Sequence, residues 1–272
     1  MDCIVDRETI SPVYANLIAI SLLPLILIAL SFIVWVGIIT FSKTLSWTEG
    51  FYRMEGTMIN LLFLVHPSIL KTTLQMFACT NIEGVWYMDI YMADVCWEGD
   101  HYFYGLNISI PALIVWGIGL PLFAFIRLRT LNRDGEQSIT RYGFLYLGYR
   151  DSKWWWEFIV LGRKFAILIV LIWISQISVF IQALTAIFIL YASHSLQIQN
   201  NPFASFETNR IENISLVCSQ LIIYLGQWYL SGELGEETKI MLFTIILIAT
   251  AVFIANWIWA YLNHSKLTKH HI

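Results

Sequence analysis

The stretch Arg141–Ile174, RYGFLYLGYRDSKWWWEFIVLGRKFAILIVLIWI, decides the class of this chain. It opens as a basic, aromatic elbow and turns into an apolar helix. Arg141, Arg150 and Lys153 supply positive charge; Tyr142, Phe144, Tyr146, Tyr149 and the run Trp154, Trp155, Trp156 supply rings. Amphipathic rings favour the headgroup layer of a bilayer, where the ring is partly buried and its polar atom stays wet. The elbow therefore marks a membrane surface, and its basic charge points to the cytoplasmic one.

Working outward, the whole chain fits a bilayer better than water. It is 58% hydrophobic and 15% aromatic, with 13% charged residues, where a soluble domain carries about 25% charge. Seven stretches approach the roughly 20 apolar residues that a spanning helix needs. They lie at about 16–41, 55–79, 106–128, 156–175, 178–198, 213–231 and 239–262. The fourth and fifth are separated only by Ser175, Gln176, Ile177 and Ser178, a tight hairpin. The sequence thus predicts an all-α, polytopic membrane bundle of about seven transmembrane helices, one transmembrane domain over residues 1–272. An outer loop at 80–104 and an inner amphipathic elbow at 129–155 complete it.

Lys and Arg gather on the cytoplasmic side of membrane proteins. With the N-terminus outside and the C-terminus cytoplasmic, thirteen of the sixteen Lys and Arg fall inside. These include Lys43, Arg53, Arg127, Arg129, Arg133, Arg210, Lys266 and Lys269. Arg7 and the border residue Lys239 fall outside, and Lys71 falls within a span. The outer loop holds Glu83, Asp89, Asp94, Glu98 and Asp100 and no Lys or Arg. The N-terminal residues MDCIVDRETISP are acidic, and the apolar run after them is longer than a signal-peptide core, so no cleaved signal is read. Two readings of the start stand open: Met1 as the native start, or the chain as the C-terminal piece of something longer. A plasma membrane or another membrane of the secretory route is the expected location.

Of the four cysteines, Cys79 sits at the outer end of the second span and Cys96 lies in the outer loop, and both would meet an oxidising compartment. A disulfide between them is the plain reading; a metal site of Cys79, Cys96 and His101 is the sharper one, but its spacing matches no zinc pattern. Cys3 has a partner only upstream or in another chain, and Cys218 reads as a small core residue. The loop itself mixes five acids with seven aromatic rings. It reads either as a compact cap on the outer headgroups or as a cation-attracting vestibule.

Polar groups inside spans are where function concentrates. Asn60, Pro67, Lys71 and Gln75 fall near one helical face, which is expected to look toward other helices or a wet cavity. Lys71 either snorkels outward or binds an anionic headgroup or lines a pathway. His66 reads as a satisfied core residue or a proton-sensitive hinge. Arg163 and Lys164 resemble a short voltage-sensor run but are more simply read as snorkelling to cytoplasmic headgroups. With Arg141, Arg150 and Lys153 they are candidate contacts to anionic lipid. Gln220, Tyr224 and Gln227 form an i, i+4, i+7 stripe suited to interhelical hydrogen bonds.

The succession LFLVHPSILKTTLQMFACT, YMADVCWEGDHYFYG, IPALIVWGIGLPLFAF, YGFLYLGYRDSKWWWEFIVLGRKFAILIV and LQIQNNPFASFETNRIENISL resembles the C-terminal membrane module of large protist and algal surface proteins. Many of those carry a Cys-rich ectodomain upstream, which this sequence lacks. Their module is described as similar to transient-receptor-potential or polycystin-like channels. The resemblance runs from about Leu17 to Ala260 and implies an ion-channel-like or sensory membrane component. A channel of that class carries a re-entrant pore loop between its last two spans. Only Gly232 to Thr238 join them here, so a conducting path would run between spans of one subunit or be built with partners.

Two other readings stand beside it: a seven-span receptor, and a structural anchor of a larger complex. No phosphate loop, HExxH or Gly-x-Ser-x-Gly motif is present, so an enzyme, a cofactor and a resident metal are not expected. The expected partners are membrane lipids and other membrane subunits, a second copy included. No basic patch interleaved with stacking rings suggests nucleic acid.

Overall fold

The computed structural model describes residues 11–42, 44–174, 177–231 and 234–269. The expectations for Cys3, Arg7, Lys43, Ser175, Gln176 and Gly232 concern residues outside these. The chain is mostly helical. In order it runs α1 (Pro12–Phe41), α2 (Trp47–Gln75), a three-stranded sheet, α3 (Gly99–Thr130), α4 (Glu136–Tyr142), α5 (Trp156–Ile169, continued by a π-helical segment Val170–Ile174), α6 (Val179–Asn200), α7 (Phe206–Leu230) and α8 (Glu236–Lys269).

Five of these are long and apolar enough to cross a membrane: α1, α2, α3, α6 and α8 up to Ala260. The other two stretches read as spans are helical but more polar. Glu157, Arg163 and Lys164 lie in α5, and Glu207, Arg210, Glu212, Gln220 and Gln227 lie in α7. Pro12 starts α1 at a position where its missing N–H costs nothing. Pro202 follows Asn201, whose left-handed backbone closes α6.

The single transmembrane domain expected over 1–272 packs as two compact units. The first comprises α1, the sheet, α2 to α4 and most of α5; the second comprises residues 148–156 and 174 onward. In the second, residues 148–156 pair with the α6–α7 turn. Arg150 N–H donates to the Pro202 carbonyl at 2.8 Å, Ala204 N–H to Gly148 at 3.1 Å, and Tyr149 stacks on Phe203 at 4.8 Å. Asn209, 5% exposed, holds that turn from α7: its Nδ2 donates to the carbonyls of Phe203 and Ser205, and its Oδ1 accepts from the Gln197 amide. The Cys218 thiol contacts the Ala249 carbonyl of α8 at 3.8 Å, as a small packed group does.

The loop expected on the outer side, in a chain read as all-α, contains strands. It folds as an antiparallel meander, β1 (Cys79–Ile82), β2 (Val85–Met88) and β3 (Tyr91–Val95). Glu83 and Gly84 turn β1 into β2 with φ of +50° and +91°. A two-residue turn with both φ positive matches the right-handed twist of a hairpin, and Gly84 takes the second position at no steric cost. Asn81 Oδ1 accepts the Gly84 N–H at 3.1 Å and stiffens the turn.

Candidate functional site

The residues with most chemistry in the first unit sit at the two ends of α2. At one end α2 stops at Gln75, and the chain passes through Met76 into β1. Cys79 and Cys96 are joined in a disulfide, which ties the first strand to the segment after the third. Removing a link across a loop of this size costs about 3 kcal/mol. Tyr14, Leu17, Met76, Met88 and Cys96 form a buried cluster beneath the sheet. Tyr14 stacks on Tyr104 of α3 at 4.4 Å, and its hydroxyl donates to Asp94 at 2.6 Å. Thr80 donates to Asp89 across the first two strands.

His101 explains why Cys79, Cys96 and a histidine converge. Their ligand atoms lie within 4.8 Å of one another. The Trp97 N–H donates to His101 Nδ1 at 2.7 Å, which puts the ring hydrogen on Nε2; Nε2 then donates to the Met76 carbonyl at 2.8 Å. Both ring nitrogens are committed and both sulfurs are oxidised, so the cluster offers no thiolate to a metal. It fastens the start of α3 to the end of α2.

At its other end α2 meets the elbow. Arg141 Nε lies 3.0 Å from Glu55, and its guanidinium sits 4.1 Å above the Tyr52 ring. Tyr142, buried, donates to the same Glu55 at 3.2 Å. Gly56 lets α4 approach: a Cβ there would run into the Thr140 carbonyl. Phe144 meets Phe63 edge-on at 5.7 Å. Tyr146, also buried, donates to the Arg133 carbonyl at 2.8 Å. Burial pushes the Tyr146 phenol above its ordinary range, with Asp134 adding to the shift and Arg133 opposing it.

Between these ends lies His66, 4% exposed. Its Nε2 donates to the Trp116 carbonyl of α3 at 2.8 Å. The reason is local. Around Trp116 the helix is π-wound over Leu113–Gly119, so the Trp116 carbonyl looks five residues on for its donor. That residue is Pro121, which has no N–H. His66 supplies the missing bond and is the satisfied core residue among the two sequence readings. Pro121 was the signal in the sequence, legible only once the π register is known.

The expected inward stripe is not inward. Asn60 and Lys71 are exposed, and Gln75 is half-buried. The buried face of α2 is made instead by His66, Ile69, Leu70, Thr73 and Leu74, and Asn60 satisfies itself on the Gly56 carbonyl at 3.0 Å. Because α2 ends at Gln75 rather than near residue 79, Lys71 lies about 6 Å of helix rise from the end. That is within reach of a snorkelling amine.

The basic residues divide. Arg141 is paired as above, and Lys153 donates to Asn200 at 2.6 Å in the second unit. Arg150 and Lys164 are exposed, and Arg163 is half-buried. In α7, Gln220, Tyr224 and Gln227 make none of the expected interhelical hydrogen bonds among the described residues. The Gln220 amide nitrogen is buried without a partner, and Tyr224 and Gln227 open onto a cavity between α6 and α7.

Compared with known proteins, the chain is similar to Cysteine repeat modular protein A of Toxoplasma gondii, 31% identical over 124 residues. The match covers 41% of this chain and 4% of that protein. No family model matches the chain. No solved structure matches it.

Proposed function

We propose that this chain is a seven-span membrane module, N-terminus outside and C-terminus cytoplasmic, acting as an ion-channel-like or sensory component. The observation that supports this reading is α2, held at one end by the disulfide-locked cap and at the other by the basic, aromatic elbow. A helix gripped at both ends is a rigid element on which an outer stimulus and a cytoplasmic response can act together. In this topology the cap is outer and the elbow inner. The distribution of Lys and Arg favours that orientation, and α5 and α7 complete the count with their charged residues near the cytoplasmic headgroups. The resemblance to modules similar to transient-receptor-potential or polycystin-like channels points the same way.

A structural anchor is the second reading. It is favoured by the small share of the Toxoplasma protein that this chain matches. A module of that proportion would hold a much larger cysteine-repeat chain at a membrane.

Purified protein in planar bilayers separates the two. Voltage-, pH- or calcium-dependent current, altered in gating by Glu55→Gln or by opening the Cys79–Cys96 link with a dithiol, supports the channel-like reading. Silence from folded, bilayer-inserted protein leaves the anchor. Single cysteines at Ser231 and Thr130, introduced in a background lacking Cys3 and Cys218, test the topology: an impermeant thiol reagent should label the first from outside and not the second.

A further inference from the structure

We infer that opening the Cys79–Cys96 link turns this corner of the cap into a zinc(II) site, with Cys79, Cys96 and His101 as its ligands. While oxidised, the cluster has no thiolate to offer. Reduction supplies two. The three ligand atoms already lie within 4.8 Å of one another, and Cys96 and His101 are buried. Their backbones are held without the link. Cys79 sits in β1 opposite Met88 of β2. The Cys96 N–H donates to the Trp86 carbonyl at 2.8 Å. His101, in the first turn of α3, donates from Nε2 to Met76 at 2.8 Å. A dithiol reductant opens the link by exchange: the cysteines become two thiols, and the dithiol leaves as its own disulfide. The Cα atoms stand 6.4 Å apart. Side-chain rotation then lets the sulfurs part to about 3.8 Å, the spacing of two ligands on tetrahedral zinc.

The histidine is already set in the tautomer of a ligand. A ligating imidazole binds metal through one nitrogen while the other donates to a carbonyl or carboxylate. Here Nε2 donates to the Met76 carbonyl, and Nδ1 keeps its lone pair. The Trp97 N–H covers that lone pair at 2.7 Å. Trp97 follows Cys96 directly and has φ of +64°, a left-handed backbone that bulky residues rarely adopt. Once the link opens, Cys96 and Trp97 are free to relax, and withdrawal of the Trp97 N–H uncovers Nδ1. Two thiolates and a neutral imidazole balance a doubly charged ion, so the loaded site buries no net charge. Sulfur and imidazole donors select zinc over calcium or magnesium, which take oxygen. Binding releases the two thiol protons to solvent, and the fourth position is left to water. The metal then fastens α3 to the end of α2 in place of the disulfide.

Cobalt(II) is the probe, added to full-length protein in detergent with Cys3 and Cys218 replaced by serine. The link is opened with a water-soluble phosphine, which supplies the two electrons and becomes its oxide. Reduced protein should take up one cobalt per chain. It should show thiolate-to-cobalt charge transfer and the intense visible bands of tetrahedral cobalt, both abolished by zinc. Oxidised protein should show neither. His101→Ala should weaken cobalt binding at least tenfold with the helical circular dichroism unchanged. His101→Cys, which returns a third ligand, should restore binding with a stronger sulfur charge-transfer band. Zinc should also raise the unfolding midpoint of the reduced protein toward that of the oxidised one, and leave the midpoint of Cys79→Ser with Cys96→Ser where it is. Reduced protein that takes up no cobalt, uptake undiminished by His101→Ala, or equal uptake by oxidised protein would overturn the site.

Discussion

α2 and α8 are the two most instructive helices to set side by side. Both are long, at 29 and 34 residues, and both pass the length and composition test for a membrane span. Yet in their most apolar windows 28% of α2 is buried inside the protein and only 6% of α8. The difference lies in the residues that are not hydrophobic. α2 carries Gly50 against Ile39 of α1, Gly56 against the Thr140 carbonyl, Thr57 accepting from Trp35 at 3.1 Å, and His66 donating to Trp116. α8 presents Met241, Phe243, Leu247, Ile248, Val252 and Trp257 around its circumference, all exposed. In lipid no hydrophobic force drives one greasy helix onto another. Small residues that permit close approach and polar groups that bond across helices decide what packs. α2 is built to be held, while α8 leaves most of its apolar circumference uncovered by the described residues.

The comparison can be broken most forcefully at the cap. Cys79→Ser with Cys96→Ser should destabilise the first unit by about 3 kcal/mol, read as a lower unfolding midpoint in detergent. An unchanged midpoint would mean that the sheet holds the end of α2 unaided. Next in size is Gly56→Val. Its side chain meets backbone rather than a flexible group, and overpacking of this kind costs about 1–3 kcal/mol. Gly37→Ala on α1, where nothing lies within 4 Å, is the control and should leave the midpoint in place.

At the elbow, Arg141→Met should cost about 1 kcal/mol or less. The ion pair with Glu55 is partly exposed, at 25% and 39%, and solvent screens it. Salt titration of wild type and variant checks this, because the difference should shrink as ionic strength rises. On α8, Ile248→Ala should change the midpoint by less than about 0.5 kcal/mol, since the side chain leaves lipid rather than a packed core. A large loss there would show that α8 is covered by a partner and would erase the contrast.

The smallest effect concerns pH. The Tyr146 phenol is raised in the folded state, so folding favours its protonated form. Its contribution is fully present below the ordinary tyrosine range, about pH 10, and fades as pH rises through and above it. Tyr146→Phe should lack that alkaline fade while losing the bond to the Arg133 carbonyl at every pH. Midpoints from pH 8 to 11 test both.

Much of the helical layout was legible because hydropathy and length are sums over local residues. The ends of α1, α3 and α6 lie within about a helical turn or two of the expected limits, and the Cys79–Cys96 link joins one cysteine at the end of the second expected span to one within the acidic loop that follows it. The meander was not read. Glu83-Gly84 is a weaker turn signal than Asn-Gly or Asp-Gly, and ValTrpTyrMet, four apolar residues in a row, carries no polar–apolar alternation to mark a strand. The stripe through Asn60 and Lys71 was expected to look inward, and both residues are exposed; periodicity cannot say whether a face looks in or out.

By itself the sequence determined that this chain is helical and suited to a bilayer, because burying polar backbone in hydrocarbon leaves few alternatives to the helix. Tertiary structure alone decided which polar groups are structural. His66 is satisfied by a carbonyl that Pro121, on another helix, cannot serve, and His101 by Met76 and Trp97. Those assignments depend on distances between residues far apart in the chain, which no local pattern encodes.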